Sequence, residues 1–221
     1  MELQENMERN NMFKIVGHIT EPPKLIIDAE SWRQKIYETG LRRIRPSGRE
    51  DTYVLRFSGE SVGSEEMLNL IQSGVKIMIC GEIRSENVHN IRSEENSVKV
   101  YLYAEVISVG DQSVDDKNEA WIRGRICRQP YFKISKHGKR MAIASILVGV
   151  NTPKSTSYIP CVCWGLEACQ AKELKVGDSI EICGYFQART FKKWMKGQEL
   201  PLMCTTHEIS VVKMKIGNRK K

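Results

Sequence analysis

Two stretches of this chain repeat each other. Asn11, Ile15, Gly17, Ile19 and Pro23 match Asn118, Ile122, Gly124, Ile126 and Pro130 at a constant offset of 107. Further on, Gly74–Ser85 matches Gly177–Ala188 at an offset of 103, and Glu105–Val109 matches Glu208–Val212 at the same 103. Solenoid units run to about 20–45 residues. A period of just over 100 residues is therefore that of a domain, and 221 residues are enough for two such cores. The expected organisation is a disordered lead at 1–10, a first domain at 11–109 and an acid-rich polar linker at 110–119. A second domain at 120–216 and a basic tail at 217–221 complete it.

Within each copy, apolar residues alternate with period two, the signature of half-buried strands. In the second copy the expected strands lie at about 120–128, 139–151, 157–164, 178–191 and 203–214. One short helix per copy is expected between the third and fourth strands, at Glu65–Ser73 and Leu166–Glu173. Gly124 and Gly184 sit inside strand patterns, where a missing side chain permits a bulge or bend. The predicted fold class is all-β, with two five-stranded OB-fold barrels in tandem, each with a short helix between strands 3 and 4.

The alternation also sorts the faces of the second copy. Ile159, Cys161 and Cys163 share one face of a strand; Tyr158, Val162 and Trp164 share the other. Ile180, Ile182, Gly184 and Phe186 oppose Glu181, Tyr185, Gln187, Arg189 and Phe191. If the aliphatic sets form the core, large aromatics and a guanidinium remain on an outer sheet face. A soluble protein gains little from such a face unless something flat and anionic lands on it, and unpaired nucleobases on a phosphate backbone are both. On the first strand of this copy Trp121, Arg123 and Arg125 oppose Ile122 and Ile126. That face meets either nucleic acid or another subunit's first strand.

Charge is divided unevenly. Residues 1–116 hold 14 Lys+Arg against 20 Asp+Glu, a net −6; residues 117–221 hold 20 against 7, a net +13. The basic half is either a solvated surface or the footprint of a polyanion.

The second copy resembles bacterial single-stranded DNA-binding proteins of the OB-fold type. The likeness is carried by Ile122–Pro130, Tyr158–Ala168, Val176–Phe191 and His207–Val211. The first copy, through Arg43–Glu60, resembles the degenerate leading domain of tandem OB-fold members, so the likeness spans Asn11 to about Lys215. The resemblance implies that Tyr158, Trp164 and Phe191 stack bases and that Arg189 tracks the strand. It extends the basic hairpin through Lys192, Lys193, Trp194 and Lys196, with Arg123 and Arg125 as further contacts. It implies sequence-tolerant sequestration of single-stranded DNA in replication, recombination or repair, in the nucleoid-associated cytoplasm. Two OB folds per chain imply a homodimer presenting four. No cofactor, no metal and no bond-making step are expected.

Two departures from the family limit the transfer. The chain ends I-G-N-R-K-K, which is basic, so recruitment of partner proteins through an acidic tail is not expected. The first copy has Thr52, Ser58 and Val88 where the second has Tyr158, Trp164 and Phe191, which makes it a structural or partner-facing domain. Its Arg42, Arg43, Arg45 and Arg49 either touch DNA backbone or form a solvated loop. The alternative functions are an OB-fold protein-interaction scaffold in a replication or conjugation complex, or RNA binding, since OB folds stack RNA bases equally well.

Other chemistries find little footing. Cys161 and Cys163 lie two apart without the paired Cys/His spacing of zinc sites. Cys80, Cys161, Cys163 and Cys183 are expected as reduced, buried thiols. The histidines lack a matching nucleophile or carboxylate, and V-G-D at Val176–Asp178 reads as a turn into a strand. No apolar run approaches the ~20 residues of a membrane span, and the polar start is not a signal peptide.

Overall fold

The computed structural model describes residues 9–90, 95–110, 116–135, 141–152, 155–194 and 201–217. Lys196, most of the expected lead and most of the basic tail lie outside them. The first half contributes β1 (Asn11–Ile19), β2 (Lys24–Ile27), β3 (Ile36–Ile44), β4 (Glu50–Ser58), α1 (Glu65–Leu70), β5 (Lys76–Asn90) and β6 (Glu95–Val109). The second contributes β7 (Asn118–Ile126), β8 (Tyr131–Ile134), β9 (Ala142–Asn151), β10 (Thr156–Trp164), α2 (Gly165–Ala171), β11 (Ser179–Lys193) and β12 (Leu202–Ile216). β7 begins inside the segment read as linker.

Each half thus has six strands rather than five. The additions, β2 and β8, are four-residue strands that pair only with β3 and β9 at the two ends of the sheet. They bury almost nothing, so no inward-facing pattern announced them.

β1 pairs with β3 and β5, β3 with β4, β4 in parallel with β6, and β6 with β5, so the pairings return to β1. β7, β9, β10, β12 and β11 make the same circuit. β1 and β7 pair antiparallel, from Asn11 opposite Ile122 to Ile15 opposite Asn118, and unite all twelve strands in one sheet. Trp121 therefore neighbours a first strand, as one reading expected, but it is Met12 of its own chain.

The equivalent bulges Cys80/Gly81 and Cys183/Gly184 fall on the repeated glycines. A Cβ on Gly184 would sit 2.2 Å from the Ser210 carbonyl oxygen, so only glycine lets β12 approach there. Turning at the bulge leaves Cys183 exposed and Cys80 half-buried, against the expectation for both; Cys161 and Cys163 are buried, and burial pushes the Cys163 thiol up to about 12. Pairing also corrects one repeat block. Leu102–Ala104 occupies the place of Ile209–Val211. The last strands therefore correspond at offset 107, not 103. A slip of four residues preserves strand parity, which is why the sequence match looked sound.

The buried side chains of the two halves form one continuous cluster. Two asparagines explain why the repeat begins as it does. Asn11 aligns with Ile122 of the other half, while its buried amide donates to the Ile83 carbonyl (2.6 Å) and accepts the Ile83 N–H (3.0 Å). Asn118 repeats this on Phe186, at 2.8 and 2.9 Å. β5 and β11 run on past the ends of β1 and β7, and a buried strand edge needs partners. An asparagine amide supplies the donor and acceptor of a missing peptide unit.

Tyr53 of the first half is fully buried against Phe186 of the second, ring centroids 5.2 Å apart. His207 packs on both rings, and its Nε2 lies 2.7 Å from the Thr52 carbonyl oxygen, a contact in which the neutral ring donates. Burial holds His207 below its ordinary pKa, with the Thr52 hydrogen bond and the Asp51 charge opposing. The folded protein therefore binds fewer protons than the unfolded chain at this site. Its contribution is complete above the unfolded value of about 6.5 and declines as pH falls towards the lower folded value, by at most about 1.4 kcal/mol per pH unit. The lowered carboxyls Asp28, Glu66 and Glu86 lose their contribution as pH falls below their ordinary values of 3.8, 4.5 and 4.5. Urea unfolding at pH 7.5, 6 and 5 is expected to show the loss at His207, and His207→Gln to flatten it.

Candidate nucleic-acid interface

Alternation places the inward set of the second half as expected, with Ile159, Cys161, Cys163, Ile180, Ile182 and Phe186 all buried. Val162, assigned to the outer face, is buried as well, because β12 runs beside it. Trp164 ends β10 at 38% exposure and donates its indole N–H to Ser210 Oγ at 3.2 Å. Ser210 stands opposite Tyr185 on β11, so Trp164 and Tyr185 (54% exposed) flank one small residue on the same face.

Further along β11, Tyr185, Gln187, Arg189 and Phe191 share this face over about 20 Å at ~3.3 Å per residue. Phe191 is 36% exposed, with the Arg189 guanidinium 5.3 Å from its ring centre. Arg189 Nε also donates to both oxygens of the buried Glu208, at 3.0 Å each. Its charge is therefore partly engaged, by a partner 19 residues away that no spacing pattern announces. Lys192 and Trp194 (68% exposed) stand on the hairpin beyond; nothing is described of the Lys193 side chain.

Tyr158 joins a different group. It lies opposite Gly149, which lies opposite Arg125, so a residue without a side chain separates the phenol from the guanidinium. Tyr158, Arg123 and Arg125 line a groove of about 300 Å³. Arg125 donates to the Gly177 carbonyl at 2.9 Å; Arg123 pairs with Glu181 at 3.0 Å and lies 5.3 Å from the Trp121 ring. Along β7, Trp121, Arg123 and Arg125 lead from this groove to a larger cleft of about 1070 Å³ on the β1–β7 seam, which Trp121, Tyr103 and Tyr185 help to line.

Tyr131 was overlooked by the sequence reading. It lies on β8, 65% exposed, beside Phe132 with Lys172 5.3 Å from its ring. The strand itself went unread, so its aromatics carried no face.

In the first half the matching face is turned on itself. Arg56 stacks on Tyr101 and pairs with Glu38 (2.7 Å) and Glu86 (2.8 Å), holding Glu86 below the usual carboxylate range. Arg84 stacks on Tyr103 and pairs with Glu82 at 2.9 Å. The arginine cluster is only partly a loop: Arg42 and Arg43 belong to β3, Arg45 and the exposed Arg49 to the turn after it, and Arg42, Arg43 and Arg45 face Glu50, Asp116 and Asp51. Among the described residues no three His, Cys, Asp or Glu side chains gather as metal ligands, and no helix is long and apolar enough to cross a membrane.

Residues 117–215 match the Single-strand binding protein family. The wild-type single-stranded DNA binding protein from Thermus aquaticus superposes with a TM-score of 0.72 at 18% identity, covering 96% of this chain and 94% of that one. A deletion mutant of the same protein gives 0.72 at 17%, covering 96% of each. At that identity the likeness shows a shared fold. No curated protein sequence matches the chain. The Single-strand binding protein match takes in β7 to β12, and with them Trp164, Phe191 and the groove at Tyr158.

Proposed function

We propose that the chain binds single-stranded DNA without sequence preference, mainly through the outer face of its second half. The observation that carries this reading is the placing of Trp164, Phe191 and Trp194 as exposed aromatics on the half of net charge +13. Stacking needs only a π face, which every base has, and cations add affinity that weakens with salt. Each circuit of pairings is read as an OB barrel, the second being the reader. In the first, cations are consumed by carboxylates and the stacking positions hold Thr52, Ser58 and Val88. That supports a structural role for it. Exposed Val106, Tyr185 and Val212 around the seam cleft support a second copy docking there, to give a homodimer with four OB folds. Sedimentation is expected to give about twice the 25.3 kDa chain mass.

The test is a tryptophan-fluorescence titration with oligothymidine at two salt concentrations, beside duplex and single-stranded RNA of equal length. Quenching by the DNA strand that weakens with salt, and is absent with duplex, is the expected result. No binding at low salt would overturn the reading; preference for the RNA strand would redirect it. In the same assay Lys192→Ala is expected to weaken binding equally for all sequences and reduce the salt slope by about 0.7.

A further inference from the structure

We propose that the first half grips the β11–β12 hairpin and holds it in its strand-binding pose, with Asp51 and Arg45 as positioning residues; this rests on the DNA-binding reading above. β7 accompanies β11 only as far as Gly184, opposite Ala120. Beyond it the Asn118 amide takes over at Phe186, and the next outward-facing backbone groups belong to Ala188. The Ala188 N–H donates to Asp51 Oδ1 at 3.0 Å, and Arg45 Nη2 donates to the Ala188 carbonyl at 2.8 Å. Asp51 is 1% exposed and is held by Arg45 Nε and Nη2 at 2.6 and 2.5 Å. The pair thus offers Ala188 one acceptor and one donor, as a neighbouring strand would.

The partner strand is held on the same rung. Ala188 stands opposite His207, and His207 Nε2 meets the carbonyl of Thr52, the residue after Asp51. Consecutive residues of β4 therefore hold both strands of the hairpin, one residue before Arg189 and three before Phe191. The duplicated site on the other side is built differently. There Ser85 and Ser157, which correspond to Ala188 and Asp51 in the repeat, exchange only hydroxyl contacts: Ser85 N–H to Ser157 Oγ at 3.4 Å, and Tyr158 N–H to Ser85 Oγ at 2.7 Å. Among the described residues the charged clamp is found towards the hairpin that carries the aromatics and not at the duplicated site. Thr52, at a lost stacking position, serves the junction with its backbone instead.

Arg45→Met and the milder Asp51→Asn, which keeps an acceptor for Ala188, test this in the full chain. Hydrogen exchange at the amides of Ala188–Phe191 is compared with that of Ile122 and Ile146, and oligothymidine affinity is measured alongside. Removing a charge-assisted contact is expected to speed hairpin exchange about tenfold in Arg45→Met, leave the β7 and β9 amides unchanged and weaken binding several-fold. Asp51→Asn is expected to fall between it and the wild type. Faster exchange throughout, or unchanged hairpin exchange, overturns the clamp; faster hairpin exchange with unchanged affinity overturns its role in binding. If the wild-type chain itself fails to bind, the DNA-binding reading falls, whereas exchange still decides whether the hairpin is held.

Discussion

The Trp164→Ala, Phe191→Ala double variant is expected to bind oligothymidine about 30-fold to 10⁴-fold more weakly than the wild type. Each base–aromatic stack contributes about 1–3 kcal/mol, and about 1.4 kcal/mol is a factor of ten. Both side chains lie on the outer surface, on β10 and β11 with β12 between them, and neither belongs to the buried cluster. Their removal is therefore expected to change unfolding free energy by less than about 1 kcal/mol, the range of surface substitutions. Trp164→Phe keeps a π face and loses only the indole bond to Ser210, so it is expected to retain most of the affinity. Titration at fixed low salt, beside a urea melt, separates the two quantities. Unchanged affinity in the double variant would place the strand elsewhere, with the Tyr158 groove as the next surface to alter.

Asn118→Ala is expected to destabilise the fold by about 2–4 kcal/mol. It strips the partner from the buried Phe186 N–H, and a buried unsatisfied donor costs about 1–3 kcal/mol beyond the hydrogen bond itself. The Phe186 carbonyl keeps the Tyr53 hydroxyl at 2.9 Å, which limits the loss. For a chain of this size each kcal/mol lowers Tm by about 2–4 °C, so a fall of roughly 5–15 °C follows. Asn11→Ala probes the equivalent place at Ile83, where among the described residues no tyrosine hydroxyl donates to the carbonyl, and is expected to cost at least as much. A melt unchanged by either would mean that water replaces the amide and that the strand edge is not sealed.

The faces of the second half were largely legible in the sequence. Period-two alternation placed Trp164, Arg189 and Phe191 outward and Phe186 inward, because a strand's side chains leave it on opposite faces wherever it lies. Tyr131 escaped because four residues with no buried face make no pattern. Cys183 was misread because the bulge at Gly184 turns its strand, and a bulge is decided by how closely β12 approaches.

Residue order and composition were enough for the duplication, the strand-rich halves with one helix apiece, the inward faces and the charge asymmetry. Each of these is a local or additive property. Tertiary packing set the rest: β1 and β7 join the halves, Asn11 and Asn118 complete strand edges, and Glu208 neutralises part of Arg189. It also turns Asp51 and Arg45 towards the Ala188 backbone of the other half. Asp51 meets an amide 137 residues away. Spacing within a strand carries no information about which distant backbone group will lack a partner, so that choice belongs to the packed chain alone.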